Sequence, residues 1–266
     1  MIVMMLFLFA FGSAIGSFLN VVIYRMTRGE SFVYGRSYCD HCKRQLAWYE
    51  NIPLLSFLAL RGRCRTCHKR IDASYPLIEA ITGVMFVWWY LIGFTFFQLA
   101  RAPFTYLQPA FWLVVGIIFI LVFFIDLFKY VIPDVLVVVL SVLALMYRSA
   151  LLIAGIFQPY DYWMAIASAF GFSLLFYALV RITKGRGMGL GDVKFMFPLG
   201  LILGFPQTIL AVYLAFIIGA VVAVALLVAR KKKFGQVVPF APFLILGSVL
   251  SLIWGEPLLS WYFGLL

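Results

Sequence analysis

Charge is what this sequence has least of. Only 12% of its 266 residues are Asp, Glu, Lys or Arg, against about a quarter in soluble domains. Apolar residues make up 65%, and the mean hydropathy is +1.06. No water-soluble domain of this size can hide that much apolar surface, so a soluble fold is excluded. The first 20 residues carry no charge at all. A signal peptide with a basic leading region is therefore not expected, and the first apolar segment should stay as an anchor. Acids are rarer than bases, which leaves a net charge of +11. Such a balance can signal nucleic acid, but here the bases fall in the gaps between apolar runs, where membrane topology puts them. The expected partner is a lipid bilayer, with no nucleic acid.

What is present is a series of apolar runs long enough to cross a bilayer, each needing about 20 residues. Eight are legible, at residues 2–24, 76–97, 109–128, 131–153, 162–182, 192–203, 208–229 and 237–262. The fold class is thus an all-α polytopic membrane protein of about eight transmembrane helices, with one small polar insert at 25–75. Alternating the sides of the membrane from that insert puts nineteen of the 21 Lys and Arg on one face, leaving only Arg101 and Arg148. The positive-inside rule makes that face cytoplasmic. The sixth run is short. Its twelve residues span roughly 18 Å as helix, against about 30 Å of hydrocarbon.

Four glycines at 185, 187, 189 and 191 precede that short run, and Asp192 opens it. A carboxylate at the lip of a membrane segment is costly and marks a candidate functional site. Asp126, near the end of the third run, comes to the same face by the charge count. Two carboxylates that share a site cannot both ionise freely, so one serves as acid and the other as base. With a water between them the pair can hydrolyse an amide. The plainer alternative pairs Asp126 with Lys129 and Asp192 with Lys194. Asp134, just after Pro133, is a rival partner. The glycines are expected to give a flexible, extended backbone for a substrate strand. Gly189 and Gly191 then lie on one side of it, where added methyl groups block close approach and cut turnover, whereas alanine at Gly185 does little to turnover.

All four cysteines lie in the insert, as Cys39-x2-Cys42 and Cys64-x2-Cys67 with 21 residues between the pairs. This spacing suits a tetrahedral zinc site closed by two knuckles. Two disulfides or a redox pair are the alternatives, and a cytoplasmic face disfavours stable disulfides. Four thiolates leave no open position on the metal, which makes the zinc structural.

Several further stretches join these motifs: GSFLNVVIYR at 16–25, NIPLLS at 51–56, YPLIE at 75–79, Ile132-Pro133-Asp134, GMGLGDVK at 187–194 and PFAPF at 239–243. Together they resemble the type IV prepilin peptidases, membrane aspartyl proteases of the GxGD group, over most of the chain. The last motif is usually written with glycine where Ala241 stands. The resemblance implies two activities. One cuts the basic leader of prepilins or pseudopilins on the cytoplasmic side of the bacterial inner membrane. The other methylates the new N-terminal residue with S-adenosylmethionine. It implies Asp126 and Asp192 as the catalytic pair, and Gly189, Gly191, Lys194 and Pro239 as substrate-binding residues. On this division 1–24 is the first membrane helix, 25–75 the zinc-binding insert associated with methyl transfer, and 76–266 the peptidase. No glycine-rich S-adenosylmethionine fingerprint is present. Asn51 and Glu79 are the candidates for methyl transfer, with a turn residue before Pro53 and a carboxylate opening the second segment as their plain alternatives. A proton-coupled transporter is the competing class, since acids and broken helices mark transporters too, but no inverted repeat is evident.

Overall fold

A computed structural model describes residues 1–31, 33–96, 102–185, 187–231, 236 and 238–264. Arg101, Arg186, Lys232 and Lys233, four of the bases counted above, lie outside the described residues. The elements run α1 (Ile2–Met26), a 3-10 turn (Trp48–Asn51), α2 (Leu55–Ala59), α3 (Ser74–Phe96), α4 (Phe104–Lys129), α5 (Asp134–Ile153), α6 (Pro159–Ile182), α7 (Leu190–Leu203), α8 (Gln207–Val228) and α9 (Ala241–Gly264). Among the described residues seven of these, α1, α3, α4, α5, α6, α8 and α9, are long and apolar enough to cross a membrane. The protein is an all-helical, multi-pass membrane protein. The sixth, short apolar run becomes α7, a helix of 14 residues, roughly 21 Å long.

The helices are apolar all round, as a lipid-embedded bundle requires. On α5, Leu136, Leu140, Ala144 and Leu151 are buried, yet Val135, Val138, Val142 and Met146 are exposed. Without water, each polar group must find a partner within the protein. The hydroxyls of Thr82, Ser141, Thr183 and Ser248 accordingly donate to the carbonyls four residues back, at 2.7–2.8 Å.

The chain divides into two compact units, Met1–Leu121 and Val122–Leu266, the division falling within α4. In the first, α1 and α3 pack at close range. A Cβ at Gly16 would lie 2.7 Å from the Cα of Glu79, a distance only glycine permits. The amide of Asn20 on α1 donates to the carbonyl of Tyr75 on α3 at 3.0 Å. The insert between them is built from two equivalent knuckles, each closed by a short antiparallel bridge, Tyr38 with Gln45 and Arg63 with Arg70. In the second unit α7 is the central element, mostly buried from Phe195 to Leu203 and packed against α5 and α6. At its crossing with α6 the backbones nearly touch: a Cβ on Gly200 would sit 2.5 Å from the Cα of Ala169. Small residues at such crossings let membrane helices gain dispersion contact.

Candidate functional site

Asp126 lies in the last turn of α4 and Asp192 in the first turn of α7. Both are buried, at 5% and 7% exposure, and both line one cleft of about 460 Å³ together with Tyr130–Asp134, Gly189–Gly191 and Lys194. They lie close enough for the charge of Asp126 to act on Asp192.

Each carboxylate is held by a helix N-terminus. Asp192 is the third residue of α7, and its Oδ2 accepts from the backbone N–H of Gly189, the N-cap, at 3.3 Å. The Oδ2 of Asp126 accepts from the backbone N–H of Ala241 at 3.2 Å. Ala241 is the first residue of α9, so its N–H is one of those a helix leaves unpaired at its start. Unpaired N–H groups and the helix dipole together make such an end favourable for a carboxylate. The sequence motif singled out Pro239. The structure buries Pro239 and gives the contact with Asp126 to Ala241, two residues on.

Lys194 does not neutralise Asp192. Its Nζ pairs with both carboxylate oxygens of Asp134, at 2.8 and 3.0 Å. The side chains of this pair are 54% and 68% exposed, which separates Asp134 from the two buried acids. Among the described residues the ion pairs are this one and Arg44–Glu50, so the pairing of Asp126 with Lys129 is not observed either. The glycine segment also differs from expectation. Gly189 is the N-cap of α7 at φ −83° and Gly191 lies inside its first turn, so the two do not form an extended edge. An α-helical turn wins because Asp192 satisfies the N-cap amide from within. A Cβ at Gly189 would meet Asp192 Oδ2 at 3.6 Å, and one at Gly191 would meet Ile132 at 3.4 Å; both are ordinary contacts. The left-handed glycine of this loop is Gly185, at φ +73°, where alanine is strained. Of the three positions, Gly185 is thus the one where alanine strains the backbone.

In the first unit the four cysteine Sγ atoms lie within 4.8 Å of one another, and the approach of Cys39 to Cys67 is 3.9 Å. All four are free thiols, at a spacing far beyond the ~2.05 Å of an S–S bond. Zn–S bonds of ~2.3 Å at tetrahedral angles imply S···S edges of roughly 3.8 Å, so the cluster fits a four-thiolate metal site. The knuckles orient it. The N–H of Cys39 donates to Arg44 O and that of Cys64 to Lys69 O, both at 2.9 Å. Lys43 and His68, each just after a second cysteine, both adopt positive φ. Backbone N–H groups of Cys67 and Thr66 pull the Cys64 thiol down to about 6, and burial pushes that of Cys39 up to about 11.

Beside this cluster, the insert and the facing ends of α1 and α3 enclose a cavity of about 770 Å³, within the range of small-molecule sites. Both Asn51 and Glu79 line it. Glu79 is buried, and its Oε2 accepts from the backbone N–H of Leu54 at 2.8 Å, whereas Asn51 is exposed. Asp40 also lines the cavity, accepting from the Tyr75 hydroxyl at 2.9 Å. Sequence reading quoted the motifs that hold Asp40 and Tyr75 but gave neither residue a role here, since their pairing appears only in the fold.

Residues 10–92 match the Bacterial Peptidase A24 N-terminal domain, and residues 113–224 match the Type IV leader peptidase family. The chain is 31% identical to a prepilin leader peptidase/N-methyltransferase of Aeromonas hydrophila, over 96% of this chain and 92% of the relative. It is 32% identical to one of Bacillus subtilis (strain 168), over 97% and 98%. No solved structure matches it. A likeness that runs through both matched regions and nearly end to end leaves one conclusion: the chain belongs to the type IV leader peptidase family.

Proposed function

We propose that this protein cuts the leader peptide of type IV prepilins or pseudopilins with Asp126 and Asp192, and then methylates the new N-terminal residue. The observation that carries the first activity is the shared cleft: two buried carboxylates, each at a helix N-terminus, with no cation paired to either among the described residues. Such a pair can share one proton. One carboxylate takes a proton from water as the oxygen attacks the scissile carbonyl. The other donates its proton to the carbonyl oxygen, giving a neutral diol. When the diol collapses, the C–N bond breaks and the amine leaves with a proton returned from the pair. Gly189, Gly191 and Lys194, which line the cleft, are the proposed substrate contacts around this chemistry, with buried Pro239 acting only through the turn into α9. A prepilin's apolar helix can enter the bilayer, which leaves its scissile bond at the interface.

The second activity is assigned to the cavity under the insert. Its size, its aromatic Tyr24 and Tyr75, and its acidic Asp40 and Glu79 suit a cationic, adenine-bearing donor, S-adenosylmethionine. That donor supplies the methyl group; Glu79 and Asn51 are the proposed methyl-transfer residues. Cys39, Cys42, Cys64 and Cys67 are proposed to hold a structural zinc that keeps 25–75 folded over this cavity. On this reading 76–266 carries cleavage, and the insert and cleft face the cytoplasm of a bacterial inner membrane.

The test is leader cleavage in proteoliposomes holding a prepilin. Asp126→Asn and Asp192→Asn should each lower cleavage by at least about a hundredfold at equal abundance, with methylation of a pre-cut pilin retained. Substantial cleavage by either variant removes that residue from the pair.

A further inference from the structure

The charge pattern leaves Arg148 unexplained. It sits well inside α5, half-buried, in a segment where a cation is costly and needs a partner. The structure supplies one that is not an acid. Arg148 Nε donates to the carbonyl of Leu201 at 2.9 Å, and Nη2 donates to that of Ile202 at 3.0 Å. Both carbonyls belong to the last turn of α7, where a helix leaves its final carbonyl groups without internal partners and carries its negative dipole end. The planar guanidinium fork meets two such carbonyls from two nitrogens at fixed spacing, which the single nitrogen of a lysine does not reproduce. Its other face lies 5.2 Å from the centroid of the Phe157 ring. α7 stops here because Gly204 turns the chain at φ +71°.

α5 therefore grips α7 at both ends. At the start, Asp134 holds Lys194, and Ile132, two residues before α5, lies against Gly191. At the end, Arg148 holds Leu201 and Ile202. The two helices run in the same sense, and α7 is too short to be anchored by headgroups on both sides of a bilayer. Gly200 fixes how closely α7 approaches α6, but a close crossing does not by itself prevent sliding along the axis.

We propose that Arg148 is a positioning residue for hydrolysis: by clamping the C-terminal carbonyls of α7 it fixes the axial height of that helix, and so sets Asp192 level with Asp126. The inference rests on the reading of Asp192 as catalytic. It makes α7 a rigid rod whose two ends are coupled, so that release of one end displaces the carboxylate at the other. A displacement of about 1 Å at the reacting groups costs roughly a hundredfold in rate.

Two readouts test it in the purified full-length protein. The first is kcat and KM for prepilin cleavage. The second is position alone: Ile132→Cys with Gly191→Cys places a thiol pair between the turn that leads into α5 and the start of α7, and its oxidative crosslinking is followed against the four native cysteines as background. Arg148→Met keeps the apolar stem and removes both donors; Arg148→Lys keeps the charge but replaces the two-nitrogen fork with a single ammonium nitrogen. Both kcat and crosslink yield should fall in the order wild type, Lys, Met. The Met variant should lose roughly a hundredfold in kcat with KM within about threefold of wild type. A folded Arg148→Met protein with wild-type kcat overturns the proposal, and so does a loss of kcat with unchanged crosslinking. If Arg148→Met does not fold, Arg148→Lys decides, and wild-type values of both kcat and crosslink yield in it refute the clamp. The crosslink does not depend on which acids are catalytic. Failure of the dyad reading would appear instead as an active Asp192→Asn protein with the crosslink order intact.

Discussion

Gly200→Ala tests how far the chemistry depends on the packing of α7. A Cβ at this position would lie 2.5 Å from the Cα and 2.6 Å from the N of Ala169, and 2.9 Å from the carbonyl carbon of Ser168. Carbon atoms settle at about 3.5–4.0 Å, so the overlap is roughly 1 Å. All three atoms it meets are backbone, so no side-chain rotation relieves it and α6 and α7 must part. Overpacking of this kind costs about 1–3 kcal/mol, and the gain in helix propensity from glycine to alanine returns up to about 1 kcal/mol. With that return in full, a net loss of about 0–2 kcal/mol leaves a folded protein. Activity should fall further than stability. Asp192 lies two turns back on the same helix, and a shift of about 1 Å there costs roughly a hundredfold in rate. Thermal unfolding in detergent and prepilin cleavage in proteoliposomes measure the two effects separately. Gly171→Ala is the matched control. It lies on α6, two residues from Ala169, and a Cβ there meets nothing within 4 Å; it should be neutral or slightly stabilising with unchanged cleavage. Ala169→Gly should not rescue Gly200→Ala, because the clash is with main-chain atoms. Wild-type cleavage by a folded Gly200→Ala protein would refute the claim that α7 carries Asp192 as a rigid body.

Freshly purified protein should carry about one zinc per chain, read by elemental analysis, and Cys64→Ser should abolish it and expose the insert to protease; a metal-free protein with an intact insert removes the site. Gly185→Ala, at a left-handed position, should cost about 1 kcal/mol in thermal stability. Gly189→Ala and Gly191→Ala should fold normally, so any loss of turnover in them reports substrate approach; normal turnover in both removes them from the substrate contacts. The Arg44 guanidinium, with burial opposing it, holds the Glu50 carboxyl below its ordinary range. The folded value is depressed, so that stabilisation is present above about pH 4.3 and is lost as the pH falls further. Glu50→Gln should therefore flatten the acid limb of insert unfolding, followed by proteolysis against pH; an unchanged limb excludes Glu50 as its cause.

The sequence by itself determined the features that depend on nearest neighbours along the chain. Apolar runs of bilayer length became, among the described residues, seven helices long and apolar enough to cross a membrane, and the shortest run became α7, because in lipid a segment must satisfy its backbone internally. The two C-x2-C pairs became matching knuckles, because each turn is closed by hydrogen bonds within five residues. Asp126 and Asp192 stood out because ionisable groups are so rare in these segments. Tertiary structure alone decided what those acids meet. The N–H on Asp126 comes from Ala241, 115 residues away, and depends on where α9 begins, four residues later than the apolar run suggests. Lys194 sits two residues from Asp192 but pairs with Asp134, 60 residues away, because successive helical residues point apart. The glycines read as a flexible strand are partly helical, since the Asp192 side chain caps the turn they begin. Arg148, a leftover in the charge count, holds α7 only once the fold brings carbonyls 53 and 54 residues away to its guanidinium. Backbone groups carry no signature in the sequence, so contacts made to them appear only when the helices are packed.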